Sequence, residues 1–96
     1  MRKYEIMYIL KADLDEAGRK EAEEKINGIL EANGAKVNKV DESLGLRDLA
    51  YEIKDEVKGF YVVLKVEAEK KALDEFSRLV KINPVVLRHL IVVDQE

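Results

Sequence analysis

The chain has 96 residues with 17 Lys and Arg against 20 Asp and Glu, a net charge of −3, no cysteine and one histidine. That length is one domain with a single core, and 47% hydrophobic with 39% charged residues points to a soluble globular fold and away from disorder. The missing cysteines exclude disulfides, thiolate metal sites and cysteine nucleophiles, while the acidic balance argues against indiscriminate nucleic-acid binding yet leaves room for a local basic face.

Tyr4–Leu10 reads Tyr-Glu-Ile-Met-Tyr-Ile-Leu, a short apolar run that suits a central strand. Lys11–Asp15 is its exit loop, with Asp13 or Asp15 as the helix N-cap. From Glu16 to Asn33 the spacing predicts a helix whose stripe is Ala22, Ile26, Ile29 and Leu30. Gly28 lies beside that stripe, and close packing on a sheet is expected to offset its cost. Asn33-Gly34 supplies a left-handed stop.

Ala35–Ile53 is long, extended and punctuated by charge, as an edge strand is when it discourages pairing with another chain. Gly45 within it predicts a bulge or a close backbone approach. Lys54–Gly59 is expected to form the turn, and Phe60–Val66 a second central strand. Glu69–Lys81 carries Leu73, Phe76, Leu79 and Val80 at helical spacing, and Pro84 ends it. Val85–Val93 is the last strand, interrupted only by Arg88 and His89, and Asp94-Gln95-Glu96 is a polar end.

The order strand, helix, strand, strand, helix, strand is the split βαβ, or ferredoxin-like, α+β arrangement. It predicts a four-stranded antiparallel sheet with two helices on one face, the first and third strands central and the second and fourth at the edges. Whichever parity faces the helices, the open face keeps a large apolar content. Two readings of that content stand side by side: a partner surface, or strand propensity with cover from the chain ends.

Catalytic machinery is hard to assemble. Ser43 and Ser77 are the only hydroxyls besides tyrosine, and neither sits in a G-x-S-x-G setting. The Lys11–Asp15 loop is acidic and lacks the glycine-rich anion cradle that an acylphosphatase-like enzyme needs. A lone imidazole lacks a second metal ligand at a suitable spacing, so no metal or cofactor is expected. His89 reads equally as a phosphate contact or a half-buried strand histidine. Lys58-Gly59-Phe60-Tyr61 compares poorly with the RNA-recognition signature: Tyr61 stands where a small residue belongs, while Val62 and Lys65 replace aromatics. Phe60 is therefore read as core.

The segments Met1-Arg2-Lys3-Tyr4-Glu5, Leu44-Gly45-Leu46-Arg47-Asp48-Leu49-Ala50-Tyr51-Glu52-Ile53, Gly59-Phe60-Tyr61 and Val86-Leu87-Arg88-His89-Leu90 resemble the bacterial small-subunit ribosomal protein six family. The likeness runs the whole chain. It implies a non-enzymatic, ferredoxin-like protein of the cytoplasmic ribosome that binds central-domain small-subunit ribosomal RNA cooperatively with ribosomal protein eighteen. The implied RNA-binding residues are Arg2, Tyr4, Arg47, Tyr51 and Arg88, and the implied protein-partner surface is Leu46, Leu49, Tyr61 and Val63. Asp48 stands where many members carry a second basic residue, and Glu52 where they often have proline. Off the ribosome a monomer is expected, with no membrane association. The rival expectation is a small-ligand-binding regulatory domain that dimerises through strand edges.

Overall fold

The computed structural model describes residues 2–53 and 56–94. Its elements are β1 (Arg2–Lys11), α1 (Glu16–Ala32), β2 (Lys36–Ile53), β3 (Glu56–Ala68), α2 (Lys70–Lys81) and β4 (Val86–Val93). The strands form one antiparallel sheet in the order β2-β3-β1-β4, so the two most apolar strands are central, as expected. Residues 1, 54 and 55 of the expected start motif and turn, and 95–96 of the polar end, lie outside the described residues.

Local chemistry marks the helix ends. Asp15 is the α1 N-cap, its Oδ1 accepting from the Gly18 N–H at 2.7 Å, which satisfies one of the free donors of the first turn. Gly34 at φ 86° ends the same helix in the left-handed conformation that glycine adopts without steric cost. One expectation fails here. Gly28 is exposed, and a Cβ built on it meets nothing within 4 Å, because it lies beside the buried stripe and not on it.

The core fills the space between the helices and one sheet face. Ile6, Tyr8, Leu10, Val62, Leu64 and Val66 pack under Ala22, Ile26 and Leu30 of α1 and Leu73, Phe76 and Val80 of α2. Each large apolar side chain buried there contributes about 1.5–3 kcal/mol. Phe60 joins from the margin of this layer, as expected, with the Arg19 guanidinium 4.5 Å over its ring.

The ladders differ in regularity. β1 and β3 pair without a break from Arg2↔Ala68 to Lys11↔Gly59. Between β2 and β3 the register slips three times. Glu42, Ser43 and Leu44 oppose Val62 alone, and Leu49, Ala50, Tyr51 and Glu52 oppose Val57 alone. The expected bulge thus falls at Gly45, whose φ of 59° only glycine takes freely. The expected turn is shorter than Lys54–Gly59, since Glu56 already pairs with Ile53 and Gly59 with Arg47.

Candidate functional site: the open face and the β2 arm

Registers translate directly into rows of side chains on the sheet face away from the helices. One row crosses all four strands as Arg88, Ile9, Tyr61 and Gly45. The next is Leu90, Met7, Val63 and Asp41, and the one after it Val92, Glu5, Lys65 and Lys39. The face therefore grades from apolar at the Gly45 end to charged at the other, where Lys65 also lies 3.8 Å from Asp94.

The excess residues of β2 close over the apolar end. Leu49 reaches the floor at Gly59, where a Cβ would stand 3.4 Å from Leu49 Cδ2 and only 2.3 Å from Ile9 Cγ2. Glycine is required at this position by close approach. Farther along, the Tyr51 hydroxyl accepts a hydrogen bond from the Arg88 guanidinium, joining the bulged arm to the opposite edge strand. Beneath this bridge lies a groove of about 260 Å³ lined by Met7, Ile9, Leu49, Tyr51, Ile53, Tyr61 and Leu90 among others.

The expected residues distribute unevenly. Tyr51 and Arg88 meet, and Leu49 and Tyr61 line the groove they span. Val63 sits in the neighbouring row on the same face. Arg47 is exposed on the arm, its Nε donating to the Leu44 carbonyl at 2.9 Å, which orients the guanidinium and leaves its remaining donors outward. Leu46 pairs with Phe60, whose ring belongs to the helix side, so it faces away from the groove. Arg2 and Tyr4 occupy the far end of β1, beside Ala68, Glu69 and Lys70, apart from the Tyr51–Arg88 bridge.

His89 resolves the other way from its neighbour. Its Nε2 lies 3.2 Å from Ser77 Oγ and its ring meets Phe76 edge-on, with centroids 6.1 Å apart. Burial first, and then the positive charge of Lys81, hold its imidazole below the usual histidine range. It packs against α2 on the helix side, the half-buried strand histidine of the two readings.

Met7, Ile9, Ile53 and Leu90 line the groove without being among the expected site residues. Odd-numbered parity in β1 marks the first two once the helix face is known. Nothing local marks Ile53, because the fold-back of the arm is a long-range event. Among the described residues no helix is long and apolar enough to cross a membrane, and no group of three or more His, Cys, Asp or Glu side chains converges to hold a metal.

Comparison with known proteins agrees with this fold. A family model described as ribosomal protein S6 matches residues 3–93. Over the full length of both chains the sequence is 51% identical to small ribosomal subunit protein bS6 of Shouchella clausii and 52% identical to that of Halalkalibacterium halodurans. The crystal structure of 30S ribosomal protein S6 from Thermotoga maritima superposes with a TM-score of 0.89 at 29% identity, covering 97% of this chain and 87% of that one.

Proposed function

The chain belongs to the ribosomal protein S6 family, and from that premise we propose that it binds central-domain small-subunit ribosomal RNA jointly with ribosomal protein eighteen. In this reading it is a structural, non-catalytic constituent of the small subunit on the cytoplasmic ribosome. The whole chain acts as one ferredoxin-like domain and is monomeric when free.

The observation that carries the reading is the Tyr51–Arg88 bridge over an apolar groove. It puts a guanidinium and a phenol, groups suited to phosphate and base or ribose, at the rim of an apolar surface suited to protein. One ligand class would be too polar for the groove, and the other too apolar for the rim. A composite partner satisfies both. Arg47 extends the basic rim along the arm, while Arg2 and Tyr4 form a second, separate RNA contact at the far end of β1.

The protein's net charge of −3 makes cooperation physically sensible. Phosphate attraction scales with the cations delivered, so a basic partner seated on the open face supplies what this chain lacks. The test is a fluorescence titration of a central-domain RNA fragment with this protein, with ribosomal protein eighteen, and with both, at about 50 and about 200 mM salt. Tight, salt-sensitive binding only with both proteins present supports the reading. Equal binding by ribosomal protein eighteen alone removes it.

A further inference from the structure

The dipeptide Asn-Gly occurs twice, at Asn27-Gly28 within α1 and at Asn33-Gly34 where that helix stops. Such a pair carries chemistry of its own. The peptide nitrogen of the glycine, unshielded by any side chain, can attack the amide carbon Cγ of the asparagine. A new N–Cγ bond closes a five-membered imide ring, and the amide nitrogen leaves as ammonia, taking up the proton of the attacking N–H. Water then opens the ring. Opening at Cγ leaves aspartate, whereas opening at the backbone carbonyl leaves isoaspartate, in which the chain runs through the side chain. Sequence alone rates the two dipeptides alike, and the fold sets them apart.

At Asn27 the fold opposes the reaction. Gly28 lies inside α1, where its N–H is committed to the helix ladder and the backbone holds that nitrogen away from the side chain. The neighbouring Ile26 and Leu30 are fully buried, so freeing the nitrogen means unpacking the core. Negative charge develops on Asn27 Oδ1 during attack. That oxygen is buried without a hydrogen-bond partner among the described residues, and an unsolvated oxyanion there is strongly disfavoured.

At Asn33 each obstacle is smaller. Asn33 and Gly34 are both exposed, so water solvates the developing charge. The Gly34 N–H donates to the Glu31 carbonyl at 3.1 Å and the Ala35 N–H to the Leu30 carbonyl at 3.0 Å, a Schellman closure. Asn33 Nδ2 donates to the Ile29 carbonyl at 2.8 Å. With ψ of 13° at Asn33 the Gly34 nitrogen lies away from Cγ, and ring closure requires the cap to open. That opening is only the fraying of a terminal turn, the easiest local motion a helix offers.

We propose that Asn33 is a site of spontaneous deamidation gated by fraying of the α1 C-cap, while the same helix protects Asn27. The other two asparagines are in Asn38-Lys39 and Asn83-Pro84. Lysine shields its nitrogen with a side chain, and proline has no N–H to lose. The product matters because of where it forms. It replaces the Nδ2 donor to Ile29 with a carboxylate at the negative end of the helix dipole, and α1 has no basic residue in its last turn to offset it. The isoaspartyl form also adds a backbone carbon just ahead of Lys36↔Glu67, the first pair of the β2 ladder.

The full-length protein is held at physiological temperature and neutral pH, in native buffer and in concentrated urea. Aliquots are peptide-mapped by mass spectrometry and assayed with isoaspartyl methyltransferase. In native buffer, amide-to-acid conversion at Asn33 should outpace that at Asn27 by an order of magnitude or more. Urea should bring both to the same fast rate, since only the fold distinguishes them. Equal native rates overturn the proposal, as does a native Asn33 that stays inert over a period in which urea converts both. Asn33→Asp reads the consequence without the slow chemistry. Its Tm should lie below that of wild type near neutral pH and approach it in acid, where the new carboxyl is protonated. Equal melting at neutral pH overturns the effect on the helix end.

Discussion

The Arg88 guanidinium donates a hydrogen bond to the Tyr51 hydroxyl across the open face of the sheet, joining residues 37 positions apart in the chain. β4 and β2 are the two edges of the sheet and share no ladder. This bond is thus a direct link between edges, made possible because four residues of β2 oppose a single residue of β3. Being exposed, it contributes little to global stability, and its consequence is positional.

Tyr51→Phe keeps the ring and deletes the acceptor. Global stability should fall by no more than about 1 kcal/mol, while amides 49–53 exchange severalfold faster. Chemical denaturation and hydrogen exchange read the two effects separately. Unchanged exchange in the arm would mean that Leu49 packing alone holds it.

Arg47→Ala and Arg88→Ala should each weaken RNA binding by the complex with ribosomal protein eighteen. Each lost phosphate contact lowers the salt slope by about one. Urea midpoints should move little for Arg47, whose hydrogen bond is local and exposed. Titration at several salt concentrations distinguishes a lost phosphate contact, which changes the slope, from misfolding, which abolishes binding at all salts.

Two glycines predict opposite signs. Gly28→Ala fills open space in a helix and should stabilise by about 0.5–1 kcal/mol. Gly59→Ala drives a methyl to 2.3 Å from Ile9 Cγ2 with the Leu10 carbonyl and Leu49 at 3.4 Å. Overpacking of this kind costs about 1–3 kcal/mol. Equilibrium unfolding of the pair provides the comparison, and a neutral Gly59→Ala would show that Ile9 has room to yield.

His89 predicts an acid-side loss. Its folded value is lowered, so the unfolded chain takes up a proton first as pH falls through about 6.5. Stability from this group is full above that value and is lost below it. His89→Gln should flatten the acid limb in a series of thermal melts between about pH 7 and about pH 5. An unchanged limb would assign the acid sensitivity to other groups.

Much of this architecture was legible beforehand because its signals are local. The apolar runs around Tyr8 and Val62 mark central strands by composition, and the Ala22, Ile26 and Leu30 spacing marks the inner face of α1. Gly45 announced a bulge because glycine weakens a strand interior and is at home there where the backbone must bend. Gly28 misled, since adjacency to an apolar stripe does not reveal which side of it meets the sheet. His89 stayed undecided until the parity of β4 was known, for one register step separates Arg88 on the open face from His89 against Phe76.

Periodicity, turn chemistry and short motifs were enough to determine the six elements, their order, the central pair of strands and the family likeness. Each depends on neighbours within a few residues, where backbone sterics and helix or strand repeat dominate. Only the tertiary structure decided that the β2 arm folds over the open face, that Tyr51 meets Arg88, and that His89 turns to Ser77 and Phe76. The Tyr51–Arg88 pairing joins residues 37 positions apart, and it depends on how many unpaired residues β2 accumulates against β3. Such accumulated slip is a property of the packed sheet, which no local stretch of sequence encodes.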